Sequence, residues 1–168
     1  MSLIAIGWLF TLGALLHNAE EALLLPAWSQ RAGRFYKPVT ARVFRIAVII
    51  LSALFVAVTV AASVSRPGSI AAYLMAGYAL AMVLNVFAPH VLATVATRRY
   101  MPGTATAVLI NLPLGLLYLA RTLAEAQVTL LTFYWAGPAV VLGMLALMPG
   151  LFAVARRLLA AINQAGAT

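Results

Sequence analysis

The amino-acid sequence predicts an all-α integral membrane protein, a bundle of five transmembrane helices that forms a single domain over residues 1–168. Hydrophobic residues make up 65% of the chain and charged residues only 8%, whereas soluble domains are about 45–50% apolar on a similar count. The apolar residues also fall into five long stretches, and a helix needs about 20 residues to cross the hydrocarbon layer. The absence of cysteine excludes disulfides and thiolate metal sites.

The five stretches define the predicted spans. A membrane-spanning strand alternates apolar and polar residues over about ten positions, and these stretches do not, so helix is the expected structure. Pro-Gly dipeptides at 67–68 and 102–103 mark two of the turns between spans. The predicted spans are about residues 3–27, 43–64, 70–96, 104–123 and 130–154.

Positive charge is unevenly distributed over the connecting segments, and this predicts an orientation. By the positive-inside rule, the N-terminus is expected outside and the C-terminus in the cytoplasm of a multi-pass cell-membrane protein. Anionic lipid headgroups at the cytoplasmic face are the expected partners, so the net charge of +8 needs no nucleic acid to explain it. The outer side has only Arg66 and Arg121, and the cytoplasmic side has Arg31, Arg34, Lys37, Arg42, Arg45, Arg98, Arg99, Arg156 and Arg157.

Two of the three acidic residues of the chain are adjacent in the first span, Glu20 and Glu21, one helical turn after His17. Their i, i+3 and i+4 spacing places all three side chains on one face of the helix. A charged group at the bilayer centre costs roughly 2.5–3.5 kcal/mol on insertion scales, so this cluster indicates a functional site. No Lys or Arg is expected at the same depth, and a bound cation or a proton would have to neutralise the carboxylates.

Counting depth at about 1.5 Å per residue brings polar residues of two other spans to the level of this cluster. They are Asn85 and His90 in the third span and Asn111 in the fourth. Asn85 and His90 are five residues apart, so they diverge by about 140° on a straight helix. Pro89 predicts a kink that would bring both inward, and Pro113 predicts a second distortion near Asn111.

Two imidazoles and two carboxylates form a sufficient ligand set for Zn²⁺, Fe²⁺ or Mn²⁺. We therefore expect a divalent metal and no organic cofactor. Glu20 and Glu21 are also the candidate catalytic residues, since one of them would serve as general base for a metal-bound water. Asn18, Asn85 and Asn111 are the expected supporting polar residues. The predicted metal ligands are His17, Glu20, Glu21 and His90.

The segment His17-Asn18-Ala19-Glu20-Glu21 near the end of the first span resembles the signature of the HXXEE family of small multi-pass membrane proteins. Residues 85–90 and the turn Arg99-Tyr100-Met101-Pro102-Gly103 are similar to later motifs of that family. The resemblance extends from about residue 12 into the fifth span. It implies a membrane domain of undefined activity, and it supplies no substrate and no known cofactor.

Three functions are compatible with these residues. The first is an intramembrane metal-dependent enzyme that acts on a lipid or another apolar substrate. The second is a non-catalytic membrane subunit whose polar cluster fixes helix packing. The third is a proton- or ion-coupled transporter, although the five spans show no inverted repeat. The oligomeric state stays open, because small residues such as Ala139 and Gly143 suit contacts within or between chains.

Overall fold

The computed structural model describes residues 1–33 and 36–165, and within them the protein is entirely helical. Five helices are long and apolar enough to cross a membrane, which confirms the prediction of an all-helical chain with five such helices. Arg34, one of the cations used for the orientation, and residues 166–168 lie outside the described residues. The helices are α1 (Leu3–Ser29), α2 (Ala41–Val64), α3 (Ile70–Thr97), α4 (Thr104–Ala124) and α5 (Leu130–Ala165).

Helix α5 is longer than its predicted span. It continues past residue 154 to Ala165, because the residues that follow the apolar stretch, mainly Ala, Leu and Arg, are strong helix formers. The apolar pattern marks where a helix meets lipid and does not mark where the helix ends. Arg156 and Arg157 therefore lie on α5 itself and not in a tail beyond it.

Aromatic residues fill the centre of the bundle. The ring of Tyr78 on α3 stacks on Phe55 of α2 with centroids 3.9 Å apart, and it lies 5.0 Å from Phe10 of α1. Phe10 also stacks on Tyr118 of α4. The outward faces of the helices expose many large apolar side chains, among them Leu131 at 86%, which is the surface expected of helices in contact with lipid.

Two polar pairs join α1 to α2 through the bundle. The hydroxyls of Thr11 and Thr59 lie 2.6 Å apart, and the Asn18 amide donates to Ser52 Oγ at 3.0 Å. Asn18 follows Thr11 by seven residues on α1 and Ser52 precedes Thr59 by seven residues on α2, so both pairs lie on the same seam of two antiparallel neighbours. These hydrogen bonds fix the position of α1 along α2, and they therefore fix the level in the bundle at which His17 and Glu21 lie.

Helices α3 and α4 are both distorted near their adjoining ends, as the prolines predicted. In α3 the hydrogen bonding widens to π-type over Val86–Val91, and Ala88 leaves the helical region with φ −134° and ψ 115°. In α4 a similar wide turn covers Ala107–Asn111, just ahead of Pro113. The turn between the two helices has a left-handed residue at each end, Arg98 and Gly103, which folds it back against α1.

Candidate metal centre

Three side chains from two helices converge beside the turn that joins α3 to α4. The ligand atoms of His17, Glu21 and His90 all lie within 4.8 Å of one another. Glu21 Oε2 is 3.8 Å from His17 Nε2, and Glu21 Oε1 is 3.4 Å from His90 Nε2. The two imidazole rings meet edge to face, with centroids 4.7 Å apart. The kink in α3 thus brings His90 to the face of α1 that the sequence predicted.

These separations suit a small divalent cation. Ligand atoms at about 2.0–2.1 Å from a tetrahedral ion are about 3.3 Å apart. The distance from Glu21 to His90 is close to this at 3.4 Å, and the distance from Glu21 to His17 exceeds it at 3.8 Å. The rings of His17 and His90 are 1% and 0% exposed, while the Glu21 side chain keeps 17%. The His17–Glu21–His90 group could therefore hold a metal with one side open towards the protein surface.

The backbone around Gly103 fixes the protonation of His17. His17 Nδ1 lies 3.1 Å from the carbonyl oxygen of Gly103 and 3.1 Å from Thr106 Oγ1. A carbonyl oxygen only accepts hydrogen bonds, so Nδ1 must carry the proton. In the neutral ring the lone pair is then on Nε2, the nitrogen that faces Glu21. A hydrogen bond from the other ring nitrogen is the usual way in which proteins orient a histidine metal ligand.

Gly103 also leaves the space that the two rings occupy. A Cβ atom on this residue would lie 2.7 Å from His90 Cε1, 2.8 Å from His17 Cε1 and 3.1 Å from Glu21 Cγ. Its φ of 92° is in the left-handed region, which favours glycine. Only glycine satisfies both conditions, so the turn can close over all three candidate ligands.

Glu20 lies beside this group and holds the turn in place. Its Oε1 accepts the backbone N–H of Gly103 at 2.9 Å, and its Oε2 accepts the hydroxyl of Thr106 at 2.7 Å. The Tyr100 hydroxyl also donates to Glu20 and accepts the N–H of Ala105. The Glu20 carboxylate is thus occupied by donors from the turn, and its predicted part as a metal ligand stays a prediction.

His90 has no such support. Both ring nitrogens are buried and have no hydrogen-bond partner among residues 1–33 and 36–165. A buried polar group without a partner costs about 1–3 kcal/mol, and buried groups of this kind are normally satisfied by water or an ion. The Glu21 carboxylate, with Oε1 3.4 Å from His90 Nε2, faces this ring without forming a hydrogen bond to it, and both groups are candidate metal ligands.

The three asparagines that the sequence grouped together lie in different places. Asn85 joins the group, because its Nδ2 is 3.4 Å from His17 Nε2. Asn18 is turned towards α2, where it bonds to Ser52. Asn111 lies against Gly13 of α1, and its side-chain atoms have no hydrogen-bond partner in the part of the chain that the structure describes. Support of the candidate centre by Asn18 and Asn111 stays a prediction.

Positive side chains near the centre make no ion pair with its carboxylates in the described residues. Arg45 comes near, since its Nε donates to the carbonyl oxygen of Ala22 at 3.1 Å. Outside the spans, burial and the negative charge of Glu21 raise the pKa of Tyr36 to about 12. Within residues 1–33 and 36–165, no Lys or Arg side chain thus pairs with the carboxylates of the centre.

Sequence reasoning missed Tyr100, Gly103 and Thr106 as parts of the site. Tyr100 and Gly103 belong to the turn that resembled a family motif, and that resemblance was the one available signal for them. Thr106 had none, because threonine is common near helix ends and in membrane helices. Each of the three acts on α1 across 80 or more positions of sequence.

The bundle and its centre define a class of protein, a helical chain with five candidate membrane spans and a buried His/Glu group. Comparison with known families is consistent with this: residues 8–118 match the family described as "protein of unknown function with HXXEE motif", and the chain belongs to that family. His17, Glu20 and Glu21 supply the residues of the motif.

A relative from Bacillus subtilis (strain 168), called uncharacterized protein YrkK, is 34% identical over 145 residues, which cover 86% of this chain and 92% of the relative. No solved structure matches.

Proposed function

We propose that this chain is a multi-pass membrane protein in which His17, Glu21 and His90 bind a divalent Zn, Fe or Mn ion for a reaction on a lipid or another apolar substrate. One observation carries the proposal: the Gly103 carbonyl holds the proton on His17 Nδ1, so three lone-pair-bearing groups face one another at ligand distances. Three protein ligands are typical of catalytic sites, where a further coordination position is left for water or substrate.

The surfaces of the bundle support the proposed placement in a membrane. The helices expose apolar side chains along their lengths, and the connector between α1 and α2, the turn between α3 and α4, and the last turns of α5 lie at one end. We assign this end, which holds most of the Lys and Arg residues, to the cytoplasm. The metal centre then lies in the inner half of the bilayer, within reach of lipids of the cytoplasmic leaflet.

We assign proton transfer to Glu20 and Tyr100, which lie beside the candidate metal ligands. Tyr100 is 48% exposed and donates to Glu20, whose other oxygen is bonded to Thr106. This chain of hydrogen bonds continues through the Thr106 hydroxyl to His17 Nδ1. Glu20 and Tyr100 are therefore placed to take up and deliver a proton next to the ligands, while Glu21 holds the ion.

Metal analysis of the purified protein tests the proposal. The protein is purified on an affinity tag without histidine, supplied with Zn, Fe or Mn, and measured for bound metal per chain after gel filtration. Glu21→Gln and His90→Ala are the test variants. Glu125→Gln is the matched control, because Glu125 is the remaining acidic residue and pairs with Arg121 away from the centre.

We expect stoichiometric metal in the parent protein and in Glu125→Gln, and loss of metal in both test variants. Folding is checked by the helical circular-dichroism signal and gel-filtration profile of each variant. A folded parent protein that retains none of the three metals contradicts the proposal, and so does a folded Glu21→Gln that retains the full amount.

The non-catalytic packing role remains the second candidate, since the hydrogen bonds of Glu20, together with those of His17, join α1 to the turn and to α4. If packing were its whole role, Glu20→Gln would lower the unfolding temperature and leave metal content unchanged, and no substrate turnover would accompany metal binding. The transporter alternative stays a prediction, and ion flux in liposomes that is lost in Glu20→Gln would support it.

A further inference from the structure

A second polar feature lies below the metal centre, between the last turn of α1 and the end of α3. It is an open cavity of about 780 Å³. Two arginines, Arg31 and Arg99, line it together with Trp28 and Thr97. The remaining wall consists of small alanines from both helices, which leave the arginine side chains room to approach one ligand.

The arginines of this cavity have no negatively charged side chain as partner in the part of the chain that the structure describes. Neither Arg31 nor Arg99 forms an ion pair within the described parts of the chain. The three acidic residues of the sequence are all engaged elsewhere: Glu20 with the turn, Glu21 with the histidines and Glu125 with Arg121. No acidic side chain of the sequence is thus left to balance the two arginines, so an anion from outside the chain is the ligand that suits this cavity.

The shape and chemistry of the arginine side chain indicate which anion this is. A guanidinium group presents a planar fork of donors that matches the oxygens of a phosphate, and it retains its charge at any physiological pH. Trp28 packs edge to face on Tyr36 with centroids 5.8 Å apart. Tryptophan is enriched at the level of lipid headgroups, so the cavity combines phosphate donors with a headgroup-level anchor.

Its position relates this cavity to the metal centre. Trp28 follows Glu21 by seven residues on α1, which is about 10 Å along the helix axis. Arg99 directly precedes Tyr100, which donates to Glu20. If the phosphate of a lipid lies between the arginines, the bonds that join the headgroup to the acyl chains would lie closer to the open side of Glu21 than the phosphate does.

We infer that Arg31, Arg99 and Trp28 form a binding site for the phosphate of an anionic phospholipid, and that this lipid is the substrate class of the metal centre. The second half of this inference rests on the proposed function. The first half does not, because the cavity binds its anion whether or not the centre holds an ion.

Binding is measured by native mass spectrometry of the full chain in neutral detergent, titrated with short-chain phosphatidylglycerol, phosphatidylcholine or inorganic phosphate. The test variant is Arg31→Gln/Arg99→Gln. Its matched control is Arg156→Gln/Arg157→Gln, which removes the same charge from the same end of the bundle. We expect phosphatidylglycerol to bind the parent and control proteins and to bind the test variant at least about tenfold more weakly, since each cation near a lipid surface contributes about 1 kcal/mol.

Equal weakening in both double variants would overturn the inference, because it would show a general attraction between opposite charges. Equal affinity for inorganic phosphate and for phosphatidylglycerol would overturn the lipid assignment, and so would equal affinity for phosphatidylcholine. Glu21→Gln protein should still bind phosphatidylglycerol. That result keeps failure of the metal centre distinguishable from failure of the lipid site.

The connection between the two sites has its own readout. We expect phosphatidylglycerol to slow the loss of metal to a chelator in the parent protein and to have no such effect in Arg31→Gln/Arg99→Gln. A lipid that binds the arginines and leaves the rate of metal loss unchanged would show that the headgroup does not cover the centre, and would contradict the substrate assignment.

Discussion

The carbonyl oxygen of Gly103 lies 3.1 Å from Nδ1 of His17 and thereby determines which nitrogen of the ring faces Glu21. The same residue donates its N–H to Glu20 at 2.9 Å. The peptide units on the two sides of Gly103 thus contact the first residue of the His-x-x-Glu-Glu segment, His17, and the first of its two glutamates, Glu20. The turn after α3 orients the motif of α1, and the motif residues alone do not make the site.

Replacement of Gly103 by alanine should abolish the centre. The new Cβ would meet His90 and His17 at less than 3 Å, in a backbone conformation that costs a side-chain-bearing residue roughly 1–2 kcal/mol. We expect loss of bound metal and a lower unfolding temperature. Gly68→Ala separates the two causes, because Gly68 has φ of 75° and nothing within 4 Å of its Cβ position. Equal effects of both substitutions would show that backbone strain, and not collision with the rings, is responsible.

Thr106→Val should weaken metal binding without unfolding the bundle. The substitution removes the hydroxyl that bonds to both His17 and Glu20 while it keeps the shape of the side chain. Loss of a group that orients a metal ligand typically lowers affinity by about 10–100-fold. Competition with a metal indicator measures this change. Thr106→Ser retains the hydroxyl and should bind as the parent does, and a serine variant as weak as the valine variant would argue against the hydroxyl.

Loss of the Tyr100 hydroxyl should change the response of the protein to alkaline pH. Burial and the hydrogen bond to Glu20 raise the pKa of Tyr100 above its usual value of about 10. Because the pKa of Tyr100 is raised in the folded state, the stability that its neutral hydroxyl contributes is complete below about pH 10. This stability is lost as the pH rises through the pKa of Tyr100 in the folded protein.

Unfolding temperatures from pH 8 to 11 test this sign. At pH 8 the parent protein should be more stable than Tyr100→Phe, and the difference should shrink towards pH 11. Tyr134→Phe is the control, because Tyr134 is 82% exposed on α5 and should behave as the parent at every pH. A constant difference between the parent and Tyr100→Phe would show that ionisation of Tyr100 does not control the bond.

The sequence predicted the helices and part of the centre for physical reasons that can be named. Long apolar stretches define spans regardless of their neighbours, and Pro89 indicated the kink that brings His90 to Glu21. Helix α5 continues beyond the end of its predicted span, because strong helix-forming residues follow where the apolar stretch stops. The parts played by Gly103 and Thr106 could not be predicted, since each depends on which side chains of α1 the turn covers.

Asn18 and Asn85 should respond differently to the same substitution, although the sequence placed both in one supporting group. Asn85 contacts His17 Nε2, the atom assigned to the metal, whereas Asn18 bonds to Ser52 on α2. Asn85→Ala should therefore alter the metal dissociation constant. Asn18→Ala should leave it unchanged and lower stability by about 0.6–1 kcal/mol, the usual contribution of a hydrogen bond between membrane helices. Ser52→Ala, which removes the other partner of the Asn18 bond, should match Asn18→Ala in both measurements. A weaker metal affinity in Asn18→Ala, but not in Ser52→Ala, would instead indicate that Asn18 supports the metal centre.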